Sequence, residues 1–385
     1  MPGQNIKMII GASYGDEGKG LATDFFGAAA GGSTVNVLTN GGPQRGHTVE
    51  MPDGRRHVFR HFGAASFRGA ETYFAGQFII NPMEFMKEYE EIDGLGMKPV
   101  SYTDPQCRFT TPWDMLVNQA VRNRDGVHNT CGYGIWETVM RYNAGSGIGF
   151  GHFMDMDRDA RIRHLRRIRD GWCAARFRQE GLAPQDIFYS DGLLRHFEED
   201  CGTMRALSPI VPDVLLRRYE TVLFENAQGL MLDGNTEDGA EFTTPSTTGA
   251  GKIFLMTERL FSGADIETCY VTRSYLTSHG DGPMENEIGG IKAALPGLYE
   301  DVTNKENPFQ GGLRYGLLDE DALARRIRSD FSRHPVSAKN RYSMSVMVTH
   351  INENRRIDMG AVSGEAGRVY ASDGKTAKDV HILKT

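Results

Sequence analysis

The sequence predicts an α/β protein with a mostly parallel central sheet and helices on both faces. Short apolar runs recur along the chain, each run is followed by a glycine-rich or polar loop, and a helix signal follows the first of them. In such proteins the site lies at the carboxyl ends of the parallel strands. The first strand is Lys7-Met8-Ile9-Ile10, and a helix begins at Leu21 and covers residues 21–28. Thr34-Val35-Asn36-Val37-Leu38 reads as a second strand that ends at Asn40-Gly41-Gly42. A helix over residues 83–92 follows, because Asn81 can cap it and Pro82 suits its first position. Thr221-Val222-Leu223-Phe224, Tyr270-Val271-Thr272 and Ser345-Val346-Met347-Val348-Thr349 read as further buried strands. The arginine-dense stretch 157–178 reads as a solvated helix. No internal repeat or low-complexity linker interrupts the chain, so residues 1–385 are expected to form a single large domain, with a helical insertion around 105–215.

Composition excludes several classes of function. At 385 residues the chain can bury a sizeable core. A net charge of −7 argues against a protein that coats nucleic acid, which would be basic. No apolar run approaches the roughly 18 residues that cross a bilayer. Met1-Pro2-Gly3-Gln4-Asn5 lacks a basic-then-apolar secretion signal. The 5 cysteines are scattered and form no CxxC pair, which fits reduced thiols and gives no sign of zinc. The expectation is a cytoplasmic protein with no nucleic-acid and no membrane partner.

The most informative stretch is Gly11-Ala12-Ser13-Tyr14-Gly15-Asp16-Glu17-Gly18-Lys19-Gly20, directly after the first strand. Glycines let the backbone approach phosphate oxygens, and Lys19 adds positive charge at a helix mouth. Asp16 and Glu17 do not suit a plain phosphate cradle, because like charges repel. A carboxylate there points to bound Mg²⁺ or to a base acting on the group that attacks the phosphate. Four more loops follow predicted strands. They are Asn40-Gly41-Gly42-Pro43-Gln44-Arg45-Gly46-His47-Thr48, Glu225-Asn226-Ala227-Gln228-Gly229 running on to Thr243-Thr244-Pro245-Ser246-Thr247-Thr248, Thr277-Ser278-His279-Gly280-Asp281-Gly282-Pro283, and Thr349-His350-Ile351-Asn352.

In these loops the chain resembles the adenylosuccinate synthetase family. Gly15 to Gly20, Gly46-His47-Thr48, Glu225-Asn226-Ala227-Gln228-Gly229, Thr247-Thr248 and Gly280-Asp281-Gly282-Pro283 match its motifs in order. The resemblance implies a P-loop-like adenylosuccinate synthetase fold with insertions, a homodimer, and a two-step ligase reaction. The 6-oxygen of a purine nucleotide attacks the γ-phosphate of a triphosphate, and the amine of aspartate then displaces phosphate from C6. Asp16 matches the base that removes the N1 proton, and His47 matches the acid that stabilises charge on the β-phosphate. Lys19 with the Gly18 and Gly20 amides would hold phosphates, with Gly15, Glu17, Gly46 and Thr48 in the same nucleotide site. Mg²⁺ would sit against Asp16 and the Gly46 carbonyl. Gln44, Gln228, Thr243, Thr130, Cys131 and Arg141 fall where the family contacts the acceptor nucleotide, Arg141 as the arginine that crosses to a partner subunit.

Departures from the family bear on substrate choice. Its Thr-Lys-Leu-Asp guanine reader is Thr349-His350-Ile351-Asn352 here, and Ser372-Asp373-Gly374 resembles the segment that covers the same base. An amide can accept from adenine N6, so Asn352 leans toward ATP or dATP as phosphoryl donor, with Ser372 and Gly374 in the segment over that base. A viral branch of the family, which converts dGMP to N6-succino-2-amino-2'-deoxyadenylate, resembles this chain at Asn352 and at Gly374-Lys375-Thr376. Retained Asp16 resembles the cellular enzymes, and dGMP is favoured over IMP. The arginine-rich loop for aspartate shrinks to Gly311-Gly312-Leu313-Arg314-Tyr315-Gly316, leaving Arg314, with Arg273 as a replacement from a neighbouring strand. The rival readings are a synthetase acting on IMP with GTP and a non-catalytic nucleotide-binding regulator.

Overall fold

A computed structural model describes residues 4–122, 131–234, 243–279, 282–299, 312–334 and 337–384. Nine strands build the central sheet: β1 (Asn5–Gly11), β2 (Thr34–Leu38), β3 (Glu71–Phe74), β4 (Ser101–Thr103), β5 (Thr221–Glu225), β6 (Asp265–Arg273), β7 (Arg341–Thr349), β8 (Arg368–Ser372) and β9 (Val380–Lys384). Their order across the sheet is β9-β8-β7-β6-β1-β5-β2-β3-β4. Every pairing is parallel except β8 with β9 at one edge. The α/β class and the mostly parallel sheet are as predicted. All five predicted strands are present, and β6 and β7 are longer than their apolar runs. The outer strands β3 and β8 and the edge strands β4 and β9 were not read from the sequence, because they are short and mix polar with apolar residues.

Alternation along the strands makes two covered faces. Ile6, Met8 and Ile10 point to one core with Val35, Val222, Tyr270 and Val346. That core is closed by helices Gly251–Leu260 and Glu320–Ser332, through residues such as Ile253, Leu323 and Ile327. Ile9 points to the opposite face, where Leu21, Ala22 and Phe26 of helix Lys19–Ala29 pack with Val271 and Met347. Helices therefore lie on both faces. A helix Pro82–Gly94 is capped as expected, with Asn81 Oδ1 accepting from the N–H of Met83 at 3.1 Å and Pro82 in its first turn.

Helices Pro112–Arg122, Ile135–Asn143 and Asp191–Leu207 pack around a further core that includes Trp113, Phe109, Phe153 and Phe197. The arginine-dense stretch is helical, Arg158–Arg166 continuing through a wider turn over Arg167–Cys173 into Ala174–Gln179. Its arginines are not merely solvated. Arg161 pairs with Glu198 at 2.6 Å and Arg176 with Glu137 at 2.9 Å, tying this helix to its neighbours. Among the described residues no helix is long and apolar enough to cross a membrane.

Because the strands run parallel, their carboxyl ends lie along one edge. β1 ends at Gly11, β2 at Leu38, β5 at Glu225, β6 at Arg273 and β7 at Thr349. Ile9 is paired with both Glu225 and Cys269, and Leu38 is level with Glu225. The register therefore sets the five loops side by side.

Candidate active site

After Gly11 the chain turns through left-handed residues Gly15 (φ 96°), Asp16 (φ 57°) and Gly18 (φ 94°) before the helix starts. This turn sends Asp16 and Glu17 to different surroundings. Glu17 Oε1 accepts from the N–H groups of Ser13 at 3.0 Å and Gly15 at 2.8 Å, while Oε2 pairs with Lys19 Nζ at 2.6 Å. Both side chains are almost wholly buried. Glu17, expected in the nucleotide site, spends its side-chain oxygens on bracing the loop and Lys19. Asp16 keeps 28% of its side chain exposed, with Oδ2 3.1 Å from His279 Nε2. Burial pushes its carboxyl up, but the His279 hydrogen bond and the nearby Arg273 and Lys19 charges outweigh that and hold it below the usual range.

The second loop meets the first directly. A Cβ on Gly20 would lie 2.6 Å from the Thr48 carbonyl oxygen and 3.0 Å from the His47 carbonyl carbon, so the helix rests on the His47 strand through bare backbone. The Lys19 charge acts on both Asp16 and His47. His47 Nδ1 donates to Glu225 Oε1, which also accepts from Arg45 Nη2 at 2.5 Å. Glu225 Oε2 accepts from the N–H of Ala64 at 3.0 Å. Burial raises the Glu225 carboxyl, yet Arg45 and then His47 pull it down to about 2. Burial and the Arg45 charge bring His47 down to about 4, against the pull of Glu225. The ring is therefore neutral near pH 7, with its proton on the Glu225 side. Gly46 is exposed and Thr48 half-buried at the same rim.

The remaining loops are stitched to these two. Asn40 Oδ1 accepts from the N–H of Ala227 at 2.7 Å, and its Nδ2 donates to the Thr247 carbonyl at 3.1 Å. Gln228 is left-handed (φ 65°), its Nε2 donating to Thr244 Oγ1 at 2.9 Å and its Oε1 accepting from Ser246 at 3.1 Å. Thr243 lies half-buried beside that pair. The Gln44 Oε1 is buried with no hydrogen-bond partner among the described residues. Thr349 Oγ1 donates to the Glu17 carbonyl at 2.8 Å, which brings the Asn352 loop against the first. The half-buried Asn352 amide makes no hydrogen bond among the described residues. Ser372 Oγ donates to the Gly374 carbonyl at 2.9 Å, so that hydroxyl holds a turn.

The three arginines named from the sequence have partners within the chain. Arg273 Nε donates to the Asp16 carbonyl at 2.6 Å and Nη1 to Tyr275 Oη at 3.1 Å, which makes it a brace of the first loop. Arg314 Nε donates to Glu287 Oε1 at 2.8 Å, and Nη1 to the Gly282 carbonyl at 2.7 Å. Arg141 is corrected outright: it is wholly buried and grips Asp114 with Nε at 3.0 Å and Nη2 at 2.8 Å. A side chain with no exposure cannot cross to another subunit. Thr130 lies outside the described residues, and Cys131 is partly exposed at the start of the next described segment. Burial pushes its thiol up to about 11.

Residues 8–325 match the family model described as adenylosuccinate synthetase. The chain belongs to the adenylosuccinate synthetase family. It is 26% identical over 291 residues to the adenylosuccinate synthetase of Acaryochloris marina, covering 73% of this chain and 62% of that protein. To the enzyme of Methylibium petroleiphilum it is 25% identical over 351 residues, covering 84% of this chain and 73% of the relative. The chain thus spans less than two thirds of the first relative's length. Its fold resembles the fully ligated adenylosuccinate synthetase of Plasmodium falciparum, with a TM-score of 0.72, 16% identity, and 99% and 100% of the two chains covered. It also resembles the succinoaminodeoxyadenylate synthetase of cyanophage S-2L solved with dGMP and dATP, with a TM-score of 0.64, 15% identity, and 99% and 96% covered.

Sequence reading of this adenylosuccinate synthetase family member did not give roles to Arg45, Glu225 or His279. Their charges two residues before His47, at a strand end, and in a glycine loop were the available signals. Burial of histidines also has a consequence for stability. Burial first, then nearby arginines, brings His61 down to about 3 and His164 to about 4, as it brings His47 to about 4. Unfolded histidines titrate near about pH 6.5. The folded chain therefore holds fewer protons, and this stabilisation is present above about pH 6.5 and lost as pH falls toward 4. Urea midpoints are expected to be level from about pH 8 to 7 and to fall steadily below about pH 6.5. A midpoint unchanged at about pH 5 would contradict it.

Proposed function

We propose that this chain is a ligase that joins L-aspartate to C6 of a purine nucleoside monophosphate through a 6-phosphoryl intermediate, driven by ATP. One observation carries the reading: the Asp16 loop and the His47 strand touch, with Lys19 acting on both. Asp16, ionised and partly exposed, accepts the purine N1 proton and so makes O6 a nucleophile. Lys19 and the backbone amides around Gly18 receive the phosphates. His47 stands by the bond that breaks, held by Glu225. The charge of an arriving triphosphate raises its proton affinity, so that the ring becomes cationic when that charge is present.

Mg²⁺ fits the donors here. Among the described residues no group of three or more His, Cys, Asp or Glu could hold a metal ion, whereas Mg²⁺ in phosphoryl sites takes one or two carboxylates and completes its shell with phosphates and water. The Asp16 carboxylate and the Gly46 carbonyl would hold it, and it would neutralise phosphate charge. A homodimer in a cytoplasm, the host's if the chain is viral, completes the reading.

The preferred acceptor is dGMP. Asn352 in place of an aspartate and the Gly374-Lys375-Thr376 tail support it. Retained Asp16 favours the second reading, IMP with GTP. Incubation with IMP or dGMP, aspartate and each triphosphate, scored by mass spectrometry, separates them: an IMP-only product rejects dGMP. Absence of phosphate release with every pair would favour a nucleotide-binding regulator. Asn352→Asp should shift the ratio of kcat/KM values toward GTP by about tenfold, since a carboxylate accepts from both guanine N1–H and N2–H. An unchanged ratio would remove Asn352 from base reading.

A further inference from the structure

The shortened arginine loop leaves the amino-acid carboxylates with one named partner, yet a second guanidinium stands beside it. Arg326, on helix Glu320–Ser332, donates from Nη2 to Glu285 Oε2 at 2.7 Å and from Nη1 to the Ala12 carbonyl at 3.3 Å. Arg314 holds Glu287 with both Nε, at 2.8 Å, and Nη2. Between them Tyr14, two residues before Asp16, accepts the Glu285 N–H at 2.9 Å. Burial raises the Tyr14 phenol, and both arginine charges act on it in the opposite sense, while the Ala12 contact sets Arg326 against the Asp16 loop. One short segment, Glu285-Asn286-Glu287, thus offers two carboxylates to two guanidiniums at the rim of the site. The arginine side chains are 15% and 24% exposed, against 39% and 41% for their glutamates. The guanidiniums are the seated half of each pair, and the carboxylates are the half that can leave.

We infer that Arg326 and Arg314 together seat the two carboxylates of the amino-acid substrate, and that Glu285 and Glu287 hold this seat until the substrate displaces them. The inference rests on the ligase reading above. Partly exposed ion pairs contribute little and exchange readily. A small dicarboxylate engages both guanidinium forks at once, which neither glutamate does, and the second fork comes from a helix where the loop is too short to supply it.

Steady-state kinetics on the full chain test it. Arg326→Met is expected to raise the aspartate KM by about tenfold or more, with the KM values of both nucleotides within about twofold of the original. Glu285→Gln with Glu287→Gln keeps both arginines and removes the competing charges, and is expected to lower the aspartate KM by about three- to tenfold. Succinate, a dicarboxylate without the amine, should inhibit competitively against aspartate and should inhibit the double variant at lower concentration. An aspartate KM unmoved in both variants overturns the seat while leaving the ligase reading standing. An original chain that forms no product from aspartate ends the ligase reading, and the seat with it.

Discussion

Asp16→Asn is expected to lower kcat by about a thousandfold while leaving the thermal midpoint nearly in place, within the range seen when a general base is removed. The substitution is a clean one for a physical reason. Asp16 is left-handed, and asparagine tolerates that region as well as aspartate does, whereas alanine would add strain. An amide can still meet His279, and the backbone carbonyl can still accept from Arg273, so the loop keeps its braces. What is lost, on the proposed reading, is the ability to take the N1 proton. Without it the purine 6-oxygen remains a weak nucleophile, whichever triphosphate is bound. Formation of the nucleoside diphosphate with purine monophosphate present and aspartate withheld isolates the first step. Diphosphate formation at the original rate would leave the Asp16 carboxylate without a role in proton removal.

The ease with which the sequence revealed this fold depended on how local each signal was. Ile6, Met8, Ile9 and Ile10 announce a strand covered on both faces, because apolar residues fall on both sides of the alternation. Asn81 before Pro82 announces a helix start, because capping is a contact between near neighbours. The sheet order is another matter. β1 sits between β5 and β6, each more than two hundred residues away along the chain, and nothing in the local pattern encodes that pairing. The site divides along the same line. The glycine loop is read from its own residues and Gly46-His47-Thr48 from its resemblance to the family motif, but Glu225 reaches His47 only because Ile9 and Leu38 are both level with it in the sheet. Glu17 shows the opposite limit. Its type and place suggest a ligand contact, yet the left-handed turn at Asp16 delivers it inward to Lys19. Arg141 likewise finds its partner, Asp114, on another helix, Pro112–Arg122, and a buried bidentate pair leaves it no reach.

Glu225→Ala is expected to cost about 3–5 kcal/mol of folding stability, because it strands a buried charge. Arg45 and Glu225 are both almost fully buried and 2.5 Å apart, and Arg45 Nε and Nη1 already lack partners among the described residues. Removing the carboxylate takes away the one acceptor that compensates the guanidinium and the His47 N–H together. Against a total of about 5–15 kcal/mol, that loss would be visible as a large drop in the urea midpoint. Glu225→Gln keeps an acceptor and should cost less in stability, but it weakens the hold on the His47 tautomer and should lower kcat by about a hundredfold. A double variant separates the two effects. Arg45→Leu with Glu225→Leu removes charge and countercharge together, so much of the stability should return while kcat stays low, since His47 Nδ1 has lost its acceptor. Recovery of both would show that Glu225 serves only to neutralise Arg45. Recovery of stability alone assigns the carboxylate to the histidine, and through it to the bond between the β- and γ-phosphates.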